Sequence, residues 1–487
     1  LSLVGSEMCI RDRYNNLGAG SIYDKPESSA TQWSLMSYLA RINYSLYDRY
    51  LFSVNGRVDG SSRFGGNNKY GFFPSGSVAW RISEEGFMEP VKAVINNLKL
   101  RTSYGFTGNT EIGVYESLAT LESNSWTIGN QLVSGFYPNR IPNPDLKWEK
   151  TGQFDIGFDL GLFNNRLRLT ADYYYKKTTD LLYNVAIPSA SGYDSMLKNI
   201  GSVQNKGYEL SIESDNLSGA FSWTTAFNIS FNRNKVLELG GETYKDVGTY
   251  DDHLKTSDIR RLIVGQPIGV FYGYRFDGIF QNEAECAQQT SSPSPIGVGL
   301  RRYKDLNGDG KIDATNDREI LGDANPKFFG GMTNTFAYRG FELNVFLQYS
   351  YGNKIFNYNA MELESPTGGQ NVYQDLVNRW TPTNPSNEYQ KATTNRNNIV
   401  SDRFIEDGSF LKLKTVSLSY SFPKLNWKHI GGLRLYVTGQ NLLTWTKYRG
   451  YDPEVSYRGA STLEAGEDFG GYPQARTFMF GIKLDIK

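Results

Sequence analysis

Oxygen-bearing side chains at alternate positions in the stretch DLNGDGKID give this 487-residue sequence its clearest potential metal site. Oxygen ligands at positions 1, 3, 5, 7 and 9, with a glycine at position 6 for the sharp turn, are typical of EF-hand-type calcium loops. Asn316 occupies position 12, where a carboxylate is expected. The alternative is an Asn-Gly/Asp-Gly turn without metal. The candidate calcium ligands are Asp305, Asn307, Asp309, Lys311 through its carbonyl, Asp313 and Asp317.

Side chains for nucleophilic catalysis are scarce. The chain has two histidines, His253 and His429, and both stand in polar or turn-like sequence. A Ser-His or Cys-His centre would have to use one of them. The two cysteines, Cys9 and Cys286, have neither disulfide-framework nor metal-site spacing. We therefore expect no enzyme activity and no required cofactor, with structural calcium as the one ion to consider.

The composition excludes some classes of protein. Lys and Arg number 51, and Asp and Glu also number 51, whereas a nucleic-acid-binding protein normally has a basic excess or a basic stripe. No apolar run approaches the 18 residues that indicate a transmembrane helix. Membrane β-strands escape that criterion because only alternate residues of such a strand are apolar.

Strict alternation of apolar and polar residues recurs along the chain and predicts strands with one apolar face. The stretch FDIGFDLGL (154–162) places its Phe, Ile and Leu residues on one face and its Asp and Gly residues on the other, and FELNVFLQYSY (341–351) behaves alike. Leu411 and Leu413 are out of phase with Val416, so we expect either a bulge or an exit from the apolar layer between Leu413 and Val416. The strands of a soluble β-sandwich would show the same alternation of apolar and polar residues. The alternating segments here have ten or more residues, a length that favours a membrane barrel.

Thirteen segments are long enough to span a membrane as tilted strands. They are 32–46, 49–60, 70–83, 96–107, 150–162, 165–178, 203–215, 220–234, 327–339, 341–352, 407–421, 431–443 and 474–487. Short turns alternate with long polar segments, at 108–149, 179–202, 235–326, 353–405 and 444–475, which is the pattern of an outer-membrane barrel. GVFYGYRFDGIF (269–280) also has the pattern of a strand. We assign it to a long loop, because counting it as a spanning strand would place the next short turn on the wrong rim of the barrel.

Several long motifs, in order, resemble the SusC/RagA family of TonB-linked outer-membrane transporters. The resemblance covers about residues 32–487. The motifs are DGSSRFG and YGFFPS within 49–85, NPDLKWEKTGQFDIGFDLGLFNNRL (143–167), NIGSVQNKGYELSI (199–212), YKDLNGDGKID (303–313), RFIEDGSFLKLKTVSLSYSFP (403–423), GQNLLTWTKYRGYDPEV (439–455) and the ending YPQARTFMFGIKLDIK.

The resemblance implies an all-β, antiparallel transmembrane barrel of about twenty-two strands around an N-terminal plug. It implies energy-coupled import of oligosaccharides or peptides across the outer membrane of a Gram-negative bacterium. The implied partners are a SusD-like surface lipoprotein, TonB–ExbB–ExbD acting through the plug region, and outer-membrane lipid. Thirteen strands would be the C-terminal part of such a barrel. We therefore expect the plug, the TonB box and nine strands to be missing from this sequence, and the last strand to be an unpaired edge.

The alternative is a non-transporting β-rich surface protein, such as an adhesin or a structural outer-membrane protein.

The charged faces of the strands would line a wet lumen in a transporter. Exposed aromatic residues in the long loops could stack on sugar rings, and the candidates are Trp126, Tyr137 and Tyr373.

The first residues do not look native. LSLVGSEMCIRDR (1–13) has neither the apolar core nor the cleavage site of a signal peptide, and it resembles the translation of a sequencing adapter. We expect residues 1–13 to be non-native, residues 14–31 to be a linker, and the barrel to occupy 32–487.

Overall fold

The computed structural model describes residues 30–186, 193, 195–248, 259–364, 371–393, 398–422, 430–459 and 461–486. Cys9, His253, His429 and Lys487 lie outside the described residues, as does the segment 1–13.

The described chain forms strands and a few short helices, with the strands numbered β1–β26 in chain order. The strands are β1 (Leu35–Leu46), β2 (Tyr50–Ser61), β3 (Tyr70–Arg81), β4 (Ile95–Asn109), β5 (Thr120–Ile128), β6 (Gln131–Arg140), β7 (Glu149–Leu162), β8 (Leu167–Thr179), β9 (Leu182–Ala186), β10 (Ser195–Asn199), β11 (Ser202–Leu217), β12 (Phe221–Glu238), β13 (Tyr244–Val247), β14 (Arg260–Ile263), β15 (Val270–Tyr274), β16 (Phe276–Ile279), β17 (Arg301–Tyr303), β18 (Arg318–Gly322), β19 (Phe328–Tyr338), β20 (Phe341–Tyr351), β21 (Lys354–Asn357), β22 (Ile405–Asp407), β23 (Phe410–Ser421), β24 (Ile430–Thr446), β25 (Glu467–Asp468) and β26 (Thr477–Ile486). The helices are α1 (Glu283–Cys286), α2 (Tyr358–Leu363) and the 3-10 turns Ile82–Glu84, Gly86–Val91, Gln374–Asn378 and Asp402–Phe404.

One antiparallel sheet dominates the structure, and we call it the wall. Its 13 strands follow the order β1-β2-β3-β4-β7-β8-β11-β12-β19-β20-β23-β24-β26, so each strand pairs with the next long strand along the chain. The prediction of thirteen spanning strands is confirmed. Among the described strands, β26 pairs with β24 alone, and β1 pairs with β2 alone.

The two faces of the wall differ as the alternation predicts. Leu343 of β20 lies opposite Leu418 of β23, and the next pair, Asn344 and Ser417, faces the other side. The register shifts where Phe346 pairs with Thr415 but Leu347 pairs with Leu413. Lys414 is therefore the extra residue of a β-bulge, which confirms the predicted break in phase.

Short turns close one rim of the wall. Arg339 and Gly340 join β19 to β20 with φ of 47° and 89°, the positive values that two-residue hairpin turns require. A side chain at Gly340 would also meet the Ser421 carbonyl oxygen at 2.6 Å. Glycine is therefore needed at this position for both backbone angle and space.

The long connections at the other rim fold into small sheets. These sheets are β5-β6, β9-β10, β13-β14-β15-β18, β16-β17 and β22-β21-β25. The assignment of residues 269–280 to a long loop is confirmed, because β15 and β16 belong to two of these sheets and not to the wall.

Three of the long connections pack together. We call the described parts of 235–326, 353–405 and 444–475 the loop assembly. Its core contains Phe271, Phe356 and Phe404, each with no exposed surface, and Phe469 packs against it. Burial of large aromatic side chains strongly favours a folded state, so the loop assembly is a folded body on the rim of the wall.

Candidate functional site

The polar face of the wall carries a ladder of ion pairs across three neighbouring strands. Arg101 of β4 reaches Asp172 of β8 at 2.7 Å and Asp159 of β7 at 3.4 Å, and Lys99 lies 3.6 Å from Asp159. Gly157 stands between Arg101 and Asp172 in the pairing, and a Cβ there would collide with the Asp172 carboxylate. The glycine therefore lets the two charges meet across an intervening strand.

Two further pairs continue this polar face. Arg168 of β8 lies 2.9 Å from Glu213 of β11, and Arg434 of β24 lies 2.7 Å from Glu342 of β20. Arg166, by contrast, donates to the main-chain carbonyl of Asp215 at the short-turn rim. The pairs join strands that are adjacent or one strand apart. Because cationic and anionic side chains are interspersed in this way, the face attracts water but carries no large excess of either charge.

A buried carboxylate ties the loop assembly together. The Glu364 side chain is 1% exposed, and its oxygens lie 2.7 Å from Arg403, 3.3 Å from Arg449 and 3.8 Å from Arg301. These arginines come from different connections of the chain, so one acidic group joins segments that are distant in sequence. A second buried pair, Arg260 of β14 and Glu467 of β25 at 2.9 Å, joins two connections of the chain in the same way.

A buried lysine fastens the loop assembly to the wall. Lys412 of β23, with a side chain 2% exposed, lies 2.6 Å from both Asp452 and Glu454. Lys414 lies 3.1 Å from Glu454. The Gln348 amide of β20 donates a hydrogen bond to the Glu454 carboxylate at 2.9 Å. We call Lys412, Lys414, Asp452 and Glu454 the Lys412 cluster.

The Lys412 cluster keeps its carboxylates ionised. Burial raises the pKa of Asp452, but hydrogen bonds from Lys412 and from the Glu454 backbone N–H outweigh it, so the pKa lies below its ordinary value. Burial likewise raises the pKa of Glu454, and the hydrogen bonds from Lys412 and Lys414 lower it further than burial raises it. The attachment of this loop therefore depends on ionised carboxylates.

The predicted calcium loop closes on its own backbone. The Asp305 carboxylate accepts the Gly310 N–H at 2.7 Å and the Gly308 N–H at 2.6 Å, and these bonds hold its pKa below the ordinary value. Asp317, which has no exposed surface, accepts the N–H groups of Leu306 and Asp313. It therefore joins the two ends of the loop, although it stands one residue past position 12.

The other candidate ligands make similar local bonds. Asp309 accepts the Lys311 N–H at 2.8 Å and a hydrogen bond from the Asn307 amide at 3.0 Å, and Asp313 accepts the Asn316 N–H at 2.8 Å. Within the described ranges, no group of three or more His, Cys, Asp or Glu side chains is arranged to hold a metal ion. Calcium binding by this loop stays a prediction.

The three aromatic candidates lie in two different environments. Trp126 of β5 and Tyr137 of β6 share one face of an exposed hairpin, because Trp126 pairs with Val133 and Tyr137 with Glu122. The Trp126 side chain is 55% exposed. Tyr373 instead packs against the core of the loop assembly, with the Arg449 guanidinium 5.8 Å from its ring centre. The structure therefore places the first two residues on one face of a hairpin, four positions apart along it, and the third in a separate, packed environment.

Comparison with known proteins identifies the family. Residues 8–282, more than half of the chain, match the family described as "TonB dependent receptor-like, beta-barrel". The chain belongs to this family. The match begins inside the segment 1–13, whose non-native origin stays a prediction.

Curated relatives of this receptor barrel carry the same family name. It is 41% identical over 480 residues to "TonB-dependent receptor P3" of Formosa agariphila, which covers 97% of this chain and 47% of that protein. It is 32% identical over 472 residues to "TonB-dependent receptor SusC" of Bacteroides thetaiotaomicron, with 94% and 44% covered. The chain thus spans about half the length of the curated relatives it matches.

Solved structures show the same architecture. The structure titled "Structure of the RagAB peptide transporter" superposes with a TM-score of 0.82 at 27% identity, covering 97% of this chain and 50% of that one. The receptor barrel lies in the outer membrane, as its family does. Its apolar face meets lipid and its polar face lines the lumen. Among the helices of the described residues, none is long and apolar enough to cross a membrane.

The loop assembly and its buried ion pairs escaped the sequence analysis of this receptor barrel. A signal for them was present. Arg403 and Lys412 stand in RFIEDGSFLKLKTVSLSYSFP, and Arg449, Asp452 and Glu454 stand in GQNLLTWTKYRGYDPEV. Both motifs carried the family resemblance, but charged residues next to a strand end read equally well as solvated loop residues. Their partners become evident only when the loops are folded.

Proposed function

We propose that the complete protein, of which this chain forms part of the barrel wall, imports a nutrient across the outer membrane. The observation that carries the proposal is a wall with one lipid face and one charged, wet face, capped on one rim by a folded loop assembly. Transport of a large cargo needs a wide polar lumen and loops that hold the cargo at the entrance. No step of such transport requires a nucleophile, so the proposal includes no catalysis.

The proposed cargo is an oligosaccharide or a peptide. The solved RagAB structures support the peptide part of this class, since they are described as a peptide transporter and a peptide importer. The resemblance to the SusC/RagA family supports the oligosaccharide part. The proposed partners are a SusD-like surface lipoprotein at the long-loop rim and TonB–ExbB–ExbD, which would act through a plug region. Energy coupling is part of the proposal because a lumen wide enough for such cargo must be plugged at rest.

Deletion of the gene tests the proposal. Cells that lack it should lose growth on one or a few oligosaccharides or peptides as sole nutrient, while growth on the corresponding monosaccharides or amino acids is retained. Restoring the complete gene should restore growth. Unchanged growth on every oligosaccharide and peptide, together with loss of surface attachment, would instead support a non-transporting adhesin.

A calcium titration of the complete protein tests the predicted metal loop. If the loop binds calcium, Asp309→Ala should weaken binding by at least about tenfold, because the affinity of such sites follows the number of charged ligands. Ser292→Ala, outside the loop, serves as the matched control and should leave binding unchanged. Absence of binding by the unsubstituted protein would refute the prediction and leave a metal-free turn held by Asp305 and Asp317.

A further inference from the structure

A pocket of about 420 Å³ opens on the lumen face near the long-loop rim. Its volume falls within the range of about 300–1,000 Å³ that is typical of small-molecule sites. The side chains that matter for recognition are those of Asn55, Arg57, Asp59, Phe73, Ser75 and Trp148. All of them lie within the described residues and away from the loop assembly.

The polar side of the pocket is built by one strand and its neighbour. Asn55, Arg57 and Asp59 occupy alternate positions of β2, so their side chains share a face. Ser75 of β3 pairs with Asn55 and, through Gly105 of β4, belongs to the same face as Arg101. The pocket therefore opens into the lumen and not toward lipid.

A carboxylate and a guanidinium are fixed to each other at this wall. Arg57 Nε donates to both Asp59 oxygens at 2.7 Å, and Nη2 donates to Ser37 at 3.2 Å. The Asp59 side chain is 9% exposed, and that of Arg57 is 51% exposed. The pair is neutral as a whole, and both groups have further hydrogen-bonding capacity. A cargo group that both donates and accepts, and that carries no net charge, complements it.

Asn55 and Ser75 add the same kind of capacity. The Asn55 amide donates to the Ser75 hydroxyl at 3.3 Å, which leaves the Asn55 carbonyl oxygen and the Ser75 hydroxyl hydrogen for a ligand. Neighbouring donors and acceptors within one concave surface match neighbouring hydroxyl groups, each of which is both a donor and an acceptor.

Beside Arg57, which pairs with Phe73 across β2 and β3, the lining of the pocket is apolar and rigid. Phe73 and Trp148 are buried, and their rings meet edge to face with centres 5.4 Å apart. The Trp148 N–H donates to the Lys69 carbonyl at 3.0 Å, which fixes the indole. A Cβ at Gly108 would collide with the Phe73 ring. An apolar wall held in place in this way suits the C–H face of a sugar ring.

We propose that this pocket is a subsite for one uncharged pyranose ring of a glycan that passes through the lumen. The proposal rests on the proposed import function and selects hydroxyl-rich cargo over peptides. Asp59 and Arg57 would bind a pair of neighbouring hydroxyl groups, Asn55 and Ser75 a second pair, and Phe73 and Trp148 would contact the ring carbons.

Binding of defined oligosaccharides to the purified complete protein tests this proposal. The probes are maltohexaose, cellohexaose and mannohexaose, with neutral glycine- and alanine-containing hexapeptides as the competing class. At least one of the three sugars should bind, and Asp59→Asn and Asn55→Ala should each weaken that binding at least about tenfold. Asp48→Asn, at a short turn on the opposite rim, should keep the affinity within about twofold, because asparagine tolerates the positive φ of this position.

The folded state of each variant is checked by the resistance of the barrel to heat in detergent, so that a loss of binding is not a loss of fold. Equal sugar affinity in all variants, or binding of hexapeptides and none of the three sugars, would overturn the proposal. Energy-coupled uptake of a peptide by the same cells would show that the import function stands while this subsite assignment fails.

Discussion

Replacing Glu364 with glutamine should loosen the loop assembly by about 3–5 kcal/mol, the usual cost of breaking a buried ion pair from one side. The substitution keeps the shape of the side chain but removes the negative charge. Arg403 and Arg301, whose side chains are 8% and 2% exposed, would then lack the carboxylate that lies nearest to both. The penalty is large because water cannot replace the lost charge in this interior.

Hydrogen exchange measured along the chain tests this result. Amides of β17 and of β22 should lose protection in the Glu364→Gln variant, whereas amides of the wall strands should keep theirs. Glu342→Gln is the matched control, since the partners Arg434 and Glu342 are each 42% exposed, and exposed pairs contribute only about 0–1 kcal/mol. Equal protection of β17 in both variants would contradict the role assigned to Glu364.

Replacing Lys412 with methionine should release the segment that contains Asp452 and Glu454 from the wall. Methionine fills most of the same space but removes the ammonium group that both carboxylates contact at 2.6 Å. Asp452 is 6% exposed, so an unpaired charge there is costly, and we expect a destabilisation of about 3 kcal/mol at neutral pH.

The pH dependence should separate the two proteins. In the unsubstituted protein, the pKa values of Asp452 and Glu454 lie below their ordinary values of 3.8 and 4.5. Their contribution to stability is therefore complete above those ordinary values and is lost as the pH falls through the lowered folded values. In Lys412→Met, Asp452 loses its ammonium partner, so its pKa rises relative to that in the unsubstituted protein, whereas Glu454 keeps Lys414. Acidification toward pH 5 should therefore reduce the destabilisation through Asp452.

Hydrogen exchange of the Asp452–Glu454 segment between pH 5 and pH 8 gives the measurement. Lys414→Met is the matched control, because Lys414 contacts only Glu454 in this cluster and its side chain is 27% exposed, and its effect should be much smaller. A Lys412→Met variant whose defect stays constant over this range would show that the lysine acts by packing and not by charge.

The wall could be predicted from the sequence because its environment imposes a rule on each residue. One face meets lipid and the other meets water, so apolar and polar residues must alternate, and a shift of one residue would reverse every side chain. FELNVFLQYSY shows this rule throughout its length, and even the bulge at Lys414 left a visible break in phase. The turn of Arg339 and Gly340 is recognisable for a similar local reason, since few residues accept positive φ.

The loop assembly could not be predicted because no such local rule applies to it. Its strands are as short as Glu467–Asp468, too short to show a period. Its stabilising contacts join distant residues, such as Arg260 and Glu467, which are 207 positions apart. The pocket beside Asp59 was missed for the same reason. Asn55, Asp59 and Ser75 come from β2 and β3, whereas Trp148 immediately precedes β7 and is far from Asn55 in the sequence.

Energy-coupled uptake by living cells tests the central claim most directly. The measurement is the initial rate of uptake of a labelled cargo that supports growth only when the complete gene is present, compared between cells with TonB and cells without it. Import through a plugged, energised barrel predicts that uptake is lost without TonB while binding of the cargo at the cell surface remains. Uptake that proceeds at the same rate without TonB would contradict the proposed function.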